Sequence, residues 1–383
     1  MKHIHNIVIL ALILIGIFYG CSDDPGIFGS GLISPTDTLS VATVELFSTA
    51  DTSFLYRFSG TSHLMVGKYQ NGTTNIEARG LTQFSGISTV PDSAIIDTAY
   101  ITLHLNYSVP DTIGNVRFGV YEMNVGWDQT TFLWDSLKDS YNPTVKYDFQ
   151  QSFTGLKDIN ILIDSLAEKW VRNKIDKPNG ILLEPGLDGS DIIIGSRLLT
   201  LADQYPKLTI AYHILGDTTI KHFSTNAVQT TFVSNGTFPV IDTTILIQGG
   251  IGHRGKLQFD LSKLPQRISI TRAILELSSD TTNPLSNSRT HDSLLVHLIR
   301  KSYYPFDSTA LGTLCVPAIK NGQKVYRADI KAIVQTWLVR EPNNGLLIRP
   351  YAENYSLDHF ALFNNKAASH LKPKLSIIYT KLP

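Results

Sequence analysis

Hydrophobic and polar residues alternate along most of the chain. Ile101, Leu103 and Leu105 alternate with Thr102 and His104, and Val116, Phe118 and Val120 alternate with Arg117 and Gly119. Leu294, Val296 and Leu298 fall in a run whose intervening positions, Leu295, His297 and Ile299, are largely apolar too, the mark of a more fully buried strand. A period of two sends successive side chains to opposite faces of a strand. Val, Ile, Thr, Tyr and Phe fill these runs, and Gly, Asn and Asp interrupt them, which predicts many short strands joined by turns. Two segments obey a different period. Ile163, Leu166, Ala167, Trp170 and Val171, and again Ile330, Ile333, Val334, Trp337 and Leu338, follow the i, i+3, i+4, i+7, i+8 stripe of a short amphipathic helix. Asp329 is placed to cap the second helix. Asn179-Gly180 and Asn344-Gly345 supply a turn before the next buried strand.

These elements come twice. Arg79-Gly80-Leu81-Thr82-Gln83-Phe84 matches Arg254-Gly255-Lys256-Leu257-Gln258-Phe259, and each is followed by a proline turn at Pro91 or Pro265. A strand beginning at Ala99 recurs at Ala273, and Trp170 with Asn179-Gly180-Ile181-Leu182-Leu183 recurs as Trp337 with Asn344-Gly345-Leu346-Leu347-Ile348. Pro206-Lys207-Leu208-Thr209-Ile210-Ala211-Tyr212 recurs as Pro373-Lys374-Leu375-Ser376-Ile377-Ile378-Tyr379. A repeat this long, about 170 residues, means tandem domains instead of a solenoid. The boundary is expected at the polar turn Leu215-Gly216-Asp217-Thr218-Thr219, giving domains at 38–214 and 218–381. The expected architecture is all-β: two tandem jelly-roll-like antiparallel β-sandwiches, each with one short amphipathic helix.

The first residues read as an address. Lys2 precedes an apolar run from Ile7 to Tyr19, which ends at Gly20-Cys21. As a helix this run is about 20 Å long, short of a bilayer core of roughly 30 Å. A basic start, a short apolar stretch and a small residue at the cut describe a secretory signal peptide, residues 1–20. Phe18-Tyr19-Gly20-Cys21 resembles a bacterial lipobox, which implies that Cys21 is acylated and becomes the new N-terminus. Phe18 stands where the motif usually has Leu. Ser22-Asp23-Asp24-Pro25-Gly26 resembles the acidic export signals of surface lipoproteins. Residues 21–37, rich in Gly, Ser, Pro and Asp, read as a flexible tether. The expected location is the outer membrane, with exposure at the cell surface, and the membrane is a partner through the lipid anchor.

Composition narrows the chemistry. Of 383 residues 43% are hydrophobic and 17% charged, which suits a chain that buries a core. Lys plus Arg and Asp plus Glu are both 33, so the basic excess of a nucleic-acid binder is missing and nucleic acid is not an expected partner. Two cysteines exclude a disulfide scaffold. With Cys21 in the anchor, Cys315 stands alone in an apolar context and reads as buried and inert. The chain has no Gly-x-Ser-x-Gly, His-Glu-x-x-His or phosphate-loop motif. His291 and His297 fall on one strand face and read as solvated or edge residues. Arg79 and Arg254 hold one place in the two repeats, which points to a structural role such as pairing with a buried carboxylate. No cofactor is expected. The one candidate ion is calcium, for which Glu184, Asp188 and Asp191 offer oxygen ligands outside any EF-hand spacing. Candidate ligand-binding aromatics are Tyr121, Trp127 and Trp134 in the first repeat and Tyr303, Tyr304 and Phe306 in the second, because sugar rings stack on aromatic faces. Trp127 and Trp134 are seven apart, so a regular strand would put them on opposite faces, and core packing is the favoured reading of both.

The order of blocks resembles the DNRLRE domain family. Its pattern runs from an Arg-Gly-Leu-x-x-Phe strand through a proline turn and an Ala-x-Leu-x-Leu strand to paired tryptophans. A short helix ending in Trp, an Asn-Gly-Leu-Leu strand and a closing Pro-x-Leu-x-Ile-x-Tyr strand complete it. Both repeats carry most of this over 40–381, whereas the paired tryptophans, Trp127 and Trp134, occur only in the first. The resemblance implies a jelly-roll-like β-sandwich of a secreted or surface bacterial protein, in which some members bind polysaccharide. The function expected is that of a non-enzymatic envelope or surface lipoprotein for glycan binding or adhesion. A polysaccharide-degrading hydrolase or lyase working in a β-sandwich groove is the first alternative, and a structural or assembly component of the outer membrane the second.

Overall fold

The computed structural model describes residues 41–382 except 59, 62, 111–113, 145–146, 187, 198–203, 286–291 and 307–310. The expected leader, Cys21, the tether and His291 lie outside the described residues.

Strands dominate, as the period of two requires. The first repeat forms β1 (Val41–Leu55), β2 (Gly60–Thr61), β3 (His63–Asn71), β4 (Thr74–Gln83), β5 (Ala94–Leu103), β6 (Tyr107–Val109), β7 (Gly114–Glu122), β8 (Tyr147–Phe153) and β9 (Ile159–Leu162). Helix α1 (Asp164–Arg172), β10 (Ile181–Pro185), β11 (Ile193–Arg197) and β12 (Lys207–Ile214) follow. The second repeat forms β13 (Lys221–Asn226), β14 (Gln229–Thr237), β15 (Thr244–Gln248), β16 (His253–Phe259), β17 (Ile268–Leu285), β18 (Leu294–Leu298), β19 (Gly312–Lys320) and β20 (Gln323–Asp329). It ends with α2 (Lys331–Val339), β21 (Leu346–Pro350), β22 (His359–Phe363) and β23 (Lys374–Lys381). The fold class is all-β, with sheets curved into half-barrel and barrel-like layers.

The duplication is written into the strand registers. Gly80 lies opposite Leu183 as Gly255 lies opposite Ile348. Leu183 faces Val120 as Ile348 faces Val296, and Ala99 faces Ile210 as Ala273 faces Ile377. Both helices start against the same strand: Ile163 N–H donates to the Ala99 carbonyl, and Ile330 N–H to the Ala273 carbonyl, each at 2.8 Å. The glutamines of the repeated Arg-Gly blocks also do one job. Gln83 Nε2 donates to the Pro178 carbonyl and Gln258 Nε2 to the Asn343 carbonyl, both at 2.8 Å. These bonds pin the Asn-Gly turns. Gly180 and Gly345 have φ of 89° and 96°, and a Cβ at either would collide with the carbonyl oxygen of Thr82 or Leu257, so only glycine fits. Each helix turns its stripe inward, with Leu166, Ala167, Trp170 and Val171 buried in α1 and Ile333, Val334 and Trp337 in α2. The cap position falls on Ile330, which has no side-chain cap bond, and Asp329, expected as the cap, stands one residue before it and accepts the Lys331 N–H at 3.0 Å. Leu338, expected on the same stripe, is exposed, because the last turn of α2 carries it to the stripe's edge.

In body one, a sheet ordered β6-β11-β3-β4-β10-β7-β8, with β14 on the free side of β4, faces a second sheet ordered β13-β12-β5-β9. Between them lies a core of residues such as Phe84, Ile101, Phe118, Trp170 and Ile210. Body two runs β1-β23-β17-β20-β19-β18-β21-β16 and closes from β16 back to β1, while β15 and β22 extend it. Two strands turn the corners. β1 pairs first with β23 and then with β16, and β19 pairs first with β18 and then with β20. The result is a flattened barrel, a sandwich whose two faces share these strands, around Leu257, Leu275, Val296, Cys315 and Tyr326.

The pairings cross the boundary expected at 215–217 in both directions. β1 is the first described strand, yet its partners are β23 and β16 of the second repeat. β13 and β14 follow the boundary, yet they pair with β12 and with β4 and β2 of the first. The two segments are equivalent: Leu46 faces Leu375 as Thr225 faces Leu208, and Phe54 faces Arg254 as Val233 faces Arg79. The polar turn at Gly216 is a hairpin that folds β13 directly onto β12, with Asp217 N–H donating to the Ile214 carbonyl at 2.8 Å. It therefore joins where the sequence reading has it separate, and β1 fills the matching slot in body two. The bodies also pack together. Met65, Tyr107, Ile193 and Phe232 meet Ile251 and Leu357, and the Leu357 N–H donates to the Tyr107 hydroxyl at 2.8 Å.

This exchange generates an asymmetric outcome. Leu46→Ala, a change in the first repeat, should cost about 2–4 kcal/mol and weaken body two selectively. Hydrogen exchange should speed up in β16 and β23 while β5 and β12 keep their protection. Equal loss in both bodies would contradict the pairing.

Candidate functional site

Arg79 and Arg254 sit at one register position on the outward face of β4 and β16, because Gly80 and Gly255 next to them face the core. Each needs a carboxylate, and each finds a different one. Arg79 bonds Glu184 of β10 at 2.6 Å and Glu77 of its own strand at 2.8 Å, and Trp134 lies 4.8 Å from its guanidinium. At the place of Glu184 the second repeat has Arg349. Arg254 pairs instead with Glu353, just beyond β21, through two bonds of 2.6 and 2.8 Å, and both side chains are almost fully buried. Tyr56, which follows β1, covers the Arg254 guanidinium at 3.8 Å. The second arginine, Arg349, reaches Glu353 at 3.4 Å and donates to His297 Nε2 at 3.3 Å. His297 is thus a buried acceptor on β18, in contrast to the solvated histidine expected from sequence.

Over Arg79 the irregular segment between β7 and β8 folds down as a lid. Trp127, Phe132 and Leu137 pack on Leu81, Leu182 and Val233, with Tyr121, Trp134 and Tyr141 at the margin. Trp127 is buried and its indole N–H donates to the Asn179 carbonyl at 2.8 Å. The segment is not a strand, and Trp134 opens a 3₁₀ turn, so both tryptophans join one cluster in place of the opposite faces a strand would impose. The Tyr141 hydroxyl donates to Glu184 at 3.1 Å. Burial, and then the Glu184 charge, push the Tyr121 and Tyr141 phenols up, so both stay protonated. What remains open here is a shallow cavity of about 250 Å³ beside Arg79 and Tyr141.

Among the described residues of body two no such lid covers the Arg254 face. Tyr303 and Tyr304 are 65% and 53% exposed. Tyr304 is in edge contact with Phe54, Phe306 and Tyr56 at centroid distances of 5.9, 6.1 and 6.4 Å. Lys256 reaches over Phe306 at 4.9 Å and Lys301 stands 6.0 Å from Tyr303. Sequence reading found Tyr303, Tyr304 and Phe306. It missed Phe54 and Tyr56, because they lie some 250 residues away and reach the cluster only through the exchanged strand.

The three candidate calcium ligands do not converge. Glu184 is taken by Arg79 and Tyr141, Asp191 accepts from the Asn115 backbone and side-chain amides, and Asp188 is exposed. Among the described residues no three His, Cys, Asp or Glu side chains gather as metal ligands. Burial pushes the Cys315 thiol up to about 12, which keeps it protonated and unreactive at neutral pH. No protein-family model matches the chain, and no curated protein matches it significantly.

Two measurements follow from these charges. Arg254→Met should destabilise the protein by about 2–4 kcal/mol in denaturant unfolding, since it leaves the buried Glu353 with only the longer Arg349 contact. Arg79→Met should cost less, about 1–3 kcal/mol, because its carboxylates keep some contact with water. The second concerns acid. Phe238 stands 5.6 Å from His253 and 5.4 Å from His359. Burial lowers both imidazoles, and nearby His253 helps bring His359 to about 4. A depressed histidine favours the neutral folded form, so its stabilisation is complete above pH 6.5 and drains away as pH falls toward 4. Stability in denaturant unfolding should fall over that window, by at most about 3 kcal/mol for His359, and His359→Gln should flatten the fall.

Proposed function

We propose that the chain is a non-enzymatic lipoprotein of the outer membrane. In this reading it is anchored through Cys21, carries two DNRLRE-like bodies, and binds polysaccharide on the aromatic platform of body two. The observation that carries this is the exposure of Tyr303 and Tyr304 on a rigid support. Their neighbours Phe54, Tyr56 and Phe306 hold Tyr304 in place by edge contacts, so a sugar can stack without ordering the ring anew. Lys256 and Lys301 stand beside the rings to meet hydroxyl groups. In body one the corresponding outward face is sealed by its own lid, which supports core packing there and ligand contact in body two. The resemblance of the block order to DNRLRE domains agrees with a polysaccharide partner. The apolar run ending at Gly20-Cys21 supports the anchor.

On a glycan array the mature protein should retain polysaccharides, and Tyr303→Ala with Tyr304→Ala should weaken the best hit roughly tenfold at an unchanged melting temperature. Retention untouched by this pair would sink the platform, and release of shortened product would favour the enzyme. Alkyne-palmitate labelling of cells should mark the wild-type chain and leave Cys21→Ser unmarked.

A further inference from the structure

A cavity of about 550 Å³ opens on the other sheet of body two, away from the aromatic platform. That volume falls within the range of small-ligand pockets. Its floor is the outward face of β17, β20 and β23, where Glu276 and Lys374 alternate with the core residues Leu275, Leu277 and Leu375. One wall is the β19–β20 hairpin with Lys320 at its tip. The other is the turn carrying His370 and Lys372, and Phe47 of the exchanged strand closes an end.

The charges in this cavity do not balance. Glu276 is buried although it faces outward, and Lys320, Arg327 and Lys374 surround it at 2.8, 3.0 and 3.5 Å. Lys374 is shared with Glu45 at 2.9 Å. Lys372 stands on the rim and makes no ion pair among the described residues. Three lysines thus line the cavity against two carboxylates, and Arg327 outside the lining adds a further positive charge on Glu276, in a concave, partly desolvated place that concentrates positive potential. Burial pulls the Glu276 carboxyl upward, but the surrounding cations hold it below the usual range, and Lys374 does the same for Glu45. Both remain ionised at neutral pH, so neither is a proton donor and the arrangement suits binding over acid catalysis.

The kind of cation narrows the anion. Arg327 lies outside the lining, so the cations that face the cavity are the ammonium groups of Lys320, Lys372 and Lys374, of which Lys320 and Lys374 are also engaged by Glu276 and Glu45. These are compact point charges with three rotatable donors each, suited to a tetrahedral oxyanion more than to the planar two-oxygen edge of a carboxylate. Phe47 is 44% exposed and offers its ring beside them. Body one lacks the set. At the same registers Thr102 stands for Glu276 opposite Lys207, and Ser224 for Glu45 opposite Thr209.

We propose that this cavity is a binding site for a sulfate or phosphate ester borne on a sugar ring, with the oxyanion on Lys372, Lys320 and Lys374 and the ring against Phe47. It is separate from the Tyr303–Tyr304 platform and stands or falls without it. Calorimetry on the mature protein would compare a sulfated heparin-derived hexasaccharide, glucose 6-phosphate, inorganic sulfate, inorganic phosphate and an oligogalacturonate. One or both ester probes should bind, and more tightly than the inorganic ions or the carboxylate oligomer. Lys372→Glu should weaken the bound ester at least tenfold and Lys372→Ala less, both with unchanged melting. Phe47→Ala should weaken the ester and leave inorganic sulfate unaffected. Tyr303→Ala with Tyr304→Ala should change none of these values. No ester binding, equal binding of the oligogalacturonate, equal binding of the inorganic ions, or full ester affinity in Lys372→Glu would each overturn the site.

Discussion

The architecture depends on one exchange of strands. β13 and β14 complete body one, and β1 completes body two. A strand that pairs on two sheets in turn, as β1 does, leaves a long open seam if it is removed, with backbone donors and core side chains such as Leu46 and Leu375 facing water. Each body is therefore finished by a segment that the linear reading assigns to the other. The crossing also places Tyr56 over Arg254 and brings Phe54 to Tyr304. The most buried ion pair of body two and its most exposed aromatic cluster thus rest on the same strand.

The duplicated arginines show how a shared position outlives its partners. Arg79 and Arg254 keep their register because the glycine beside each must face the core, which fixes the arginine outward. The carboxylate is free to move. Glu184 serves in β10, and where Arg349 replaces it Glu353 serves from the following loop. The second arrangement is drier and carries an extra arginine, which His297 helps to accommodate. What persists between the copies is the requirement for a paired charge on that face, and the sequence position of the pair does not persist.

Much of the fold could be read from the chain, for local reasons. Period-two alternation, the two helical stripes and the Asn-Gly turns are each determined by residues close in sequence, and the recurring registers bear out the block repeats. The exchange was hidden because β1 and β13–β14 share a strand pattern that suits either body equally. Nothing local says which slot a first strand fills. The same reason hides Phe54, Tyr56 and Phe47 from any site drawn from neighbouring residues. Trp127 and Trp134 do pack into a core, but a spacing of seven would put them on opposite faces of a regular strand, whereas the segment is a lid with a 3₁₀ turn that brings both into one cluster. Near Asp188 the sequence shows oxygen-rich side chains but not that a carboxylate can be claimed by a cation across the sheet, as Arg79 claims Glu184.

The copies diverge most where their outward faces meet solvent. In body one the lid spends its aromatic rings on Leu81, Leu182 and Val233, and the face becomes a second small core. In body two the same face carries no lid tryptophans, so tyrosines stay in water and lysines gather around them. On its opposite sheet, Thr102 and Ser224 of body one give way to Glu276 and Glu45 in body two, and a neutral face becomes a charged cavity. Both changes use positions where the side chain points away from the core, so they leave the registers and the buried tryptophan helix untouched. One copy can thus keep a sealed, packed outward face, while the other accumulates exposed rings and unbalanced charge on a scaffold already stable.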